Sequence, residues 1–289
     1  RWRNSHSRGR AQCAGPANAG PGHWMERQHG SSMRLKAVAE RIREFLSTGP
    51  PWWEDMAHEY GVGRKEILQL GTRGSGRRPW GKTLEEIWAE RPRDSPADVA
   101  AFYEDAGPWF LYRQLVRHRF TSFGFIARRV TQGMRILEFG AGICPVAWWL
   151  RSHGPWPLRV TVADVPSEHF RFGVARLRRA GVEIEAIELA GGAIPDLPDG
   201  QFDAVACLEV FEHLPDPVTT ARVLADSLRP GGWLFEDFAA HPDAHGPDLP
   251  AAQAMRMGVY HHLLVRCEWK SGRHWTTTDG GGMRMWRKC

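Results

Sequence analysis

Two glycines that follow a short apolar run give the sequence its clearest chemical feature. The run is Arg-Ile-Leu-Glu-Phe at 135–139, and Gly140 and Gly142 come directly after it. A continuous apolar run is typical of a buried parallel strand. Glycines at its end let the backbone turn sharply and approach a ligand that a Cβ would push away. The spacing therefore predicts a turn that binds a nucleotide-like ligand.

The residues around these glycines distinguish two classes of ligand. Dinucleotide enzymes use G-x-G-x-x-G/A, which leads into a helix whose N-terminus holds the pyrophosphate. Here the chain continues Ile-Cys-Pro after Gly142, so the third small residue is missing, and Glu138 stands two residues before Gly140. A carboxylate at this place repels pyrophosphate and stabilises a cationic ligand. The pattern favours S-adenosylmethionine, with its ammonium and sulfonium groups, over NAD.

Residues from about 134 to 238 resemble a class I S-adenosylmethionine-dependent methyltransferase through four motifs in that family's order. The motifs are E-F-G-A-G at 138–142, V-T-V-A-D at 160–164, Q-F-D-A-V-A-C-L-E-V-F-E-H-L-P-D-P at 201–217 and L-R-P-G-G-W-L-F at 228–235. The second motif ends about 20 residues after the first in Asp164, which is placed to take both ribose hydroxyls. The resemblance implies an α/β fold with a doubly wound, mostly parallel, seven-stranded Rossmann-like sheet, and it implies methyl transfer.

The resemblance also implies which residues hold the cofactor. They belong to the glycine turn and to the ends of the next strands: Glu138, Gly140, Ala141, Gly142, Asp164, Gly192, Cys207 and Glu209. The sequence departs from the family at two places. Cys144 replaces the third glycine, so the last turn of the loop is bulkier. The acid that often binds the adenine amino group is absent from A-G-G-A-I at 190–194, where Gly191 and Gly192 offer backbone groups instead, and the adenine contact is left unassigned.

Three ionisable residues follow the fourth predicted strand, at 202–208, where the transferred methyl group is expected to point. On a helical turn, Glu209, Glu212 and His213 stand three and four residues apart and converge on one face. Methyl transfer to a hydroxyl or an amine requires in-line placement and the removal of one proton, so a single base suffices. His213 is the first candidate for this catalytic base and Glu212 is the second.

The same E-x-x-E-H pattern permits two other interpretations. It resembles the divalent-metal site of ubiquinone-type O-methyltransferases and of small-RNA 2′-O-methyltransferases, which implies a metal held by Glu209, Glu212 and His213, with His241 or His261 as a fourth ligand. Alternatively, His213 caps or packs against the turn while the carboxylates bind water or arginines. Base, metal and structural roles all stay open at this point.

The pattern after residue 130 alternates strands with helices, which is typical of a doubly wound parallel sheet. Ligands in such sheets bind beyond the carboxyl ends of the strands. After the fifth strand we expect a weak helix at 251–257, a long strand that contains His261 and His262, and a final strand. The strands are predicted at 135–139, 159–163, 183–188, 202–208, 232–237, 259–269 and 283–289, the last two as an antiparallel hairpin on the sheet edge.

The sequence before residue 131 divides into a basic tail and a helical unit. Residues 1–33 contain few large aliphatic side chains and are predicted to be disordered, with Met25 or Met33 as a possible start of the native protein. Helical spacing predicts a helical unit over 34–130, broken at Pro108. The resemblance implies that this unit is a lid over the substrate and that 131–289 is the S-adenosylmethionine-binding domain. The lid aromatics are Tyr103, Trp109, Phe110 and Tyr112, with packing between helices as the alternative role.

Composition restricts the remaining classes of function. No apolar run approaches the roughly 20 residues that span a bilayer. The five cysteines are scattered and form no C-x-x-C pair, which favours a reducing, cytoplasmic compartment without a zinc knuckle. The net charge of +5 is modest, and the basic cluster at 171–179 is interpreted as a solvated face rather than a nucleic-acid surface.

These observations lead to one function and two alternatives. We predict methyl transfer from S-adenosylmethionine to an oxygen or nitrogen of a small-molecule acceptor, without nucleic acid and without membrane insertion. The alternatives are an RNA 2′-O-methyltransferase and a non-catalytic S-adenosylmethionine-binding regulatory protein. The sequence does not indicate the oligomeric state.

Overall fold

The part of the chain that carries the site is described by a computed structural model. It describes residues 51–67, 86, 87, 90, 95–118, 121–189, 194, 196–238, 248–272 and 282–289. Within it, Trp52–Cys289 form one compact unit. The predicted tail at 1–33 and residues 34–50 of the predicted helical unit lie outside the described residues.

Seven strands form one sheet in the order β3-β2-β1-β4-β5-β7-β6. Strands β1 to β5 are parallel, and β7 runs antiparallel to both β5 and β6. The predicted doubly wound, mostly parallel sheet with a terminal antiparallel hairpin is therefore confirmed. The strands are β1 Arg135–Phe139, β2 Arg159–Asp164, β3 Ile184–Glu188, β4 Phe202–Leu208, β5 Leu228–Asp237, β6 Cys267–Gly272 and β7 Arg284–Lys288.

Eight α-helices flank this sheet or precede it within the described residues. The break predicted at Pro108 is present, because this proline begins a new helix. The helices are α1 Pro51–Tyr60, α2 Pro96–Asp105, α3 Pro108–His118, α4 Gly124–Ala127, α5 Pro145–His153, α6 Glu168–Arg179, α7 Pro217–Asp226 and α8 Pro250–Arg266. None of the helices in this described part combines the length and apolarity needed to cross a bilayer.

The prediction of a long strand at 259–269 is wrong. Helix α8 continues through this segment to Arg266, and β6 begins only at Cys267, so His261 and His262 are helical. The buried positions of α8 explain the difference, since Ala252, Arg256, Val259 and Leu263 recur at intervals of three or four residues. Leu264 and Val265 are apolar but exposed, so a count of apolar residues over 259–269 does not reveal this helical period.

Alternate residues of the central strands enter two different apolar layers. On β1, Ile136 packs in the layer formed with α5 and α6, whereas Leu137 packs in the layer formed with α7 and α8. On β4, Ala206 belongs to the first layer and Cys207 to the second. This period of two is the ordinary consequence of strand geometry. Packing on both faces holds these strands in place, and their carboxyl ends carry the polar residues of the site.

Candidate active site

A cavity of about 750 Å³ opens at the carboxyl ends of β1, β2 and β4. The strand order reverses between β1 and β4, and ligands of open α/β sheets bind at such a point. Its walls come from the glycine turn, from the turn after β4 and from helices α2 and α3. The lining includes polar and aromatic side chains and the two glycines: Tyr103, Phe110, Arg117, Glu138, Gly140, Gly142, Asp164, His169, Glu209, Val210 and His213.

The two glycines after β1 shape the floor of this cavity. Gly140 and Gly142 have φ angles of 65° and 47°, a left-handed backbone that disfavours other residues. A Cβ on Gly140 would overlap the side chain of Val210, with Cγ1 at 2.8 Å. A Cβ on Gly142 would meet no atom within 4 Å and would project into open space. The turn therefore leaves room that a ligand could fill, as the sequence predicts.

Glu138 holds the start of α5 beneath the cavity. Its two carboxyl oxygens accept hydrogen bonds from the backbone N–H groups of Val146 and Ala147, each at 2.9 Å. Burial raises the pKa of Glu138 to about 8, although these two hydrogen bonds act in the opposite direction. The structure thus gives Glu138 an anchoring role in α5. Its contact with a cofactor cation stays a prediction.

Asp164 connects the end of β2 to the glycine turn. Its Oδ2 accepts a hydrogen bond from the N–H of Gly142 at 2.5 Å, and its Oδ1 accepts one from the N–H of Val165 at 2.6 Å. Burial raises the pKa of this carboxyl to about 6. Asp164 also lines the cavity, and its contact with a ribose stays a prediction.

The bulky Cys144 at the third motif position is accommodated by a neighbouring helix. Cys144 is buried and adopts φ 55°, a left-handed conformation that is strained for a residue with a Cβ. On α6, Gly173 lies against this segment, and a Cβ there would meet the carbonyl carbon of Ile143 at 2.6 Å and Sγ of Cys144 at 2.9 Å. Sequence reasoning missed Gly173, because the motif pattern examines only the loop and not the helix that packs on it.

Glu209, Glu212 and His213 do not converge on one helical face. Only Phe211–His213 form a 3-10 turn, and Glu209 precedes it with φ 55°. The Glu209 carboxylate pairs instead with Arg117 of α3, and both side chains line the cavity. No group of three or more metal-ligating residues was found in the described part of the chain. The geometry therefore gives no support to a metal held by these three residues.

Glu212 is buried beside the cavity rather than in its lining. It is 2% exposed, and its Oε2 has no hydrogen-bond partner among the described residues. Burial raises the pKa of this carboxyl well above its ordinary value, and Asp248 and Glu209 act in the same direction. A carboxyl that is enclosed and absent from the lining does not reach the proton of an acceptor in the cavity. The proposal of Glu212 as a catalytic base therefore lacks a geometric basis.

His213 lines the cavity and has a buried carboxylate behind it. Its Nδ1 lies 3.7 Å from Oδ1 of Asp248, within the range of an ion pair once the ring is protonated. Gln253 donates a hydrogen bond to the other oxygen of Asp248 at 3.3 Å. The ring of Tyr103 stands edge-on to His213, with the centroids 6.3 Å apart. The sequence did not reveal Asp248, since its segment before α8 contains no motif.

The remaining predicted contacts have different outcomes. Cys207 faces the apolar layer of α7 and α8 and is absent from the cavity lining, because its neighbours Ala206 and Leu208 occupy the other side of β4. Its assignment to the cofactor is therefore corrected. Gly192 and His241 lie outside the described residues. His261 is exposed on α8 and is absent from the lining of the cavity.

Aromatic side chains cover the cavity from the N-terminal side. Three of the aromatic residues predicted from the sequence to line the lid, Tyr103, Phe110 and Tyr112, lie in the cavity lining. Phe102 and Phe123 also lie there. Burial raises the pKa of the Tyr103 hydroxyl, and Asp164 and Glu212 add to the shift. Tyr103 therefore carries a neutral hydroxyl near pH 7.

Comparisons with known proteins agree with this architecture. A sequence profile described as a methyltransferase domain matches residues 110–276, more than half of the chain. The chain therefore belongs to the methyltransferase domain family.

Individual relatives match part of the chain. It is 30% identical over 146 residues to the ubiquinone biosynthesis O-methyltransferase of Paracidovorax citrulli, which covers 48% of this chain and 60% of that protein. It is 26% identical over 152 residues to the enzyme of the same name from Pectobacterium atrosepticum, which covers 50% of this chain and 62% of that protein. The chain thus spans less than two thirds of these relatives. A solved S-adenosylmethionine-dependent methyltransferase from Methanosarcina mazei is 17% identical with a TM-score of 0.44, and the match covers 58% of this chain and 98% of that one.

Proposed function

We propose that the protein methylates a hydroxyl oxygen of a small aromatic acceptor, with His213 as the general base. The observation that carries this proposal is the position of His213 in the cavity lining with the buried carboxylate of Asp248 3.7 Å behind its Nδ1. A base must reach the proton it removes, and a carboxylate behind the ring stabilises the imidazolium that forms. The names of the curated relatives support oxygen as the acceptor atom.

The cavity fits S-adenosylmethionine at its floor. Gly142 leaves open the space that a Cβ would fill, and Asp164 presents a carboxyl at the edge of that space. These residues would hold the nucleoside half, and Glu138 would stand near the cationic half. When bound, S-adenosylmethionine supplies a methyl group on a sulfonium, which leaves as a neutral thioether.

The chain itself contributes positioning and proton removal. His213 takes the hydroxyl proton as the acceptor oxygen bonds to the methyl carbon, so the oxygen ends as a neutral ether and the proton resides on the imidazole. Asp248 then faces a positive ring and offsets its charge. The aromatic walls at Tyr103 and Phe110 exclude water and fit a flat ring. The ion pair of Arg117 with Glu209 borders the same space.

A substitution series tests the proposed base. Labelled S-adenosylmethionine is incubated with simple phenols and catechols, and transfer of the label is measured for the wild type, His213→Ala and Asp248→Asn. We expect His213→Ala to lower kcat by about 10²- to 10⁴-fold, the usual contribution of a general base. Asp248→Asn should lower it less, because the ring remains and loses only its charged partner.

The control is His261→Ala, on the exposed part of α8, which should retain wild-type kcat. Affinity for S-adenosylhomocysteine should stay within about threefold in every variant, since His213 is proposed to act on the acceptor. Full activity in His213→Ala would reject the base. Transfer of the label to RNA alone, with an affinity that falls steeply with salt, would favour the RNA alternative.

A further inference from the structure

His169 is a buried polar residue of the cavity that the motifs do not explain. It lies in the first turn of α6, is 2% exposed and belongs to the cavity lining. Its Nε2 is buried without a hydrogen-bond partner among the described residues. Leaving such an atom unpaired is costly, so an unpaired buried nitrogen in a cavity wall indicates that a ligand completes it.

The position of His169 on α6 places it next to the glycine turn. His169 and Gly173 stand four residues apart and share one face of the helix. Gly173 is in close contact with Ile143, at the end of the glycine turn. His169 therefore lies one helical turn closer to the cavity than Gly173 does, near the same end of the glycine turn. Asp164 binds the N–H of Gly142 in the same loop and lines the same cavity. The imidazole and the carboxyl assigned to the ribose thus border one space.

The imidazole is held in place and is uncharged. Its ring packs edge-on against Phe110 of α3, with the centroids 4.6 Å apart and the planes at 83°. Burial lowers the pKa of His169 to about 3, and the charge of Arg171 acts in the same direction. A neutral ring nitrogen donates or accepts according to its tautomer. A hydroxyl can do either, so it is a suitable partner in both tautomers, whereas a carboxylate only accepts and an ammonium only donates, so each suits one tautomer only.

We propose that His169 binds a ribose hydroxyl of the cofactor through Nε2 and makes the site selective for ribose over deoxyribose. This inference rests on the proposed use of S-adenosylmethionine. It adds a second ribose contact, from helix α6, to the one that the resemblance assigns to Asp164. Selectivity follows because a deoxy ligand leaves the buried nitrogen unpaired, whereas the ribose ligand pairs it.

Calorimetry with matched ligands tests this role. S-adenosylhomocysteine and its 2′-deoxy and 3′-deoxy analogues are titrated into the wild type and into His169→Phe, which keeps a ring against Phe110. We expect the wild type to prefer S-adenosylhomocysteine over one of the analogues by about 5- to 20-fold. His169→Phe should bind S-adenosylhomocysteine weaker by a similar factor and should show a clearly smaller preference over that analogue, since only the bond to Asp164 remains. His153→Phe, on the exposed end of α5, is the matched control and should behave as the wild type.

Two results would overturn the role of His169. One is unchanged affinity for S-adenosylhomocysteine in His169→Phe, and the other is an equal loss for all three ligands, which would show a packing role only. If His169→Phe fails to fold, the same titrations with His169→Leu and His169→Gln decide, since only glutamine retains a hydrogen-bonding group near Nε2. Absence of binding to the wild type would reject the proposed function itself, and this result is distinct from a failure of the His169 contact alone.

Discussion

Gly140 and Gly142 lack side chains for different physical reasons. Both have a left-handed backbone, so any Cβ costs conformational energy. Only at Gly140 does the Cβ also strike a neighbour, Val210. Gly140 is therefore required because it packs against the turn after β4, whereas Gly142 keeps space open in the cavity.

Alanine substitutions should separate these two reasons. Gly140→Ala combines strain with overlap and should lower the free energy of unfolding by about 2–4 kcal/mol, part of which Val210→Ala restores. Gly142→Ala should cost only about 1–2 kcal/mol of stability but weaken S-adenosylhomocysteine binding by at least about tenfold. Urea unfolding and calorimetry measure the two quantities. Equal losses of stability in both variants would contradict this distinction.

Asp164 should give cofactor binding a pH dependence. Its pKa of about 6 in the free protein means that the carboxyl is charged above this pH and takes up a proton below it. A charged carboxyl accepts two hydrogen bonds from ribose hydroxyls, and the protonated form accepts them less well. Affinity for S-adenosylhomocysteine should therefore fall as the pH is lowered through about 6.

The matched variant for this prediction is Asp164→Asn. It should bind about 5- to 100-fold more weakly at pH 8, as expected for the loss of a buried charged partner. Its affinity should also be nearly constant between pH 5 and pH 8. Calorimetric titrations that show the wild-type pH dependence unchanged in Asp164→Asn would assign the titrating group to another residue.

At the scale of elements, helix α1 is held on the core by a buried arginine. Arg176 of α6 is 6% exposed, and its Nε lies 2.5 Å from Oδ2 of Asp55 in α1. Its guanidinium also stacks over the ring of Trp148, 3.6 Å from the centroid. Removing one partner of a buried pair leaves an uncompensated charge, which costs more than the pair contributes.

Substitution of Asp55 should therefore destabilise the protein measurably. We expect Asp55→Ala to lower the free energy of unfolding by about 2–4 kcal/mol, equivalent to a melting temperature about 5–10 °C lower for a chain of this size. The control is Glu59→Ala in the same helix, which removes the exposed pair with Arg179 at 3.5 Å and should cost less than about 1 kcal/mol. Thermal unfolding with equal shifts for both variants would show that the burial of Arg176 is not decisive.

The sequence predicted elements where local patterns coincide with burial. Strands β1, β2 and β4 are nearly continuous buried runs because both faces of each are covered, and each run ends in a recognisable motif. Helix α8 was misjudged beyond residue 258 because Leu264 and Val265 are apolar but exposed on its outer face. Exposed apolar residues beside buried ones obscure the helical period on which prediction depends.

The site residues that sequence reasoning missed are those defined by long-range contacts. Gly173, Asp248 and His169 carry no motif, and each matters because of a group distant in the chain. The assumed helical turn at 209–213 failed for a local reason, since Glu209 adopts a positive φ that no spacing rule indicates. The order of the motifs identifies the glycine turn at the floor of the cavity. The surroundings of His213 depend on tertiary packing, which the motifs do not describe.

At the scale of the whole molecule, the sheet order and the N-terminal helices create one enclosed space. The reversal between β1 and β4 opens the floor, and α2 and α3 place aromatic rings over it. His213, which we propose as the general base, meets the carboxylate of Asp248 and this apolar wall at the same space.

The most direct test is the pH dependence of methyl transfer to a catechol in the presence of EDTA. We expect the wild-type rate to rise with pH as His213 loses its proton, to be unchanged by EDTA and added Mg²⁺, and to fall by about 10²- to 10⁴-fold in His213→Ala with loss of this pH dependence. Loss of activity in EDTA that Mg²⁺ restores would contradict the account, and so would an unchanged pH profile in His213→Ala.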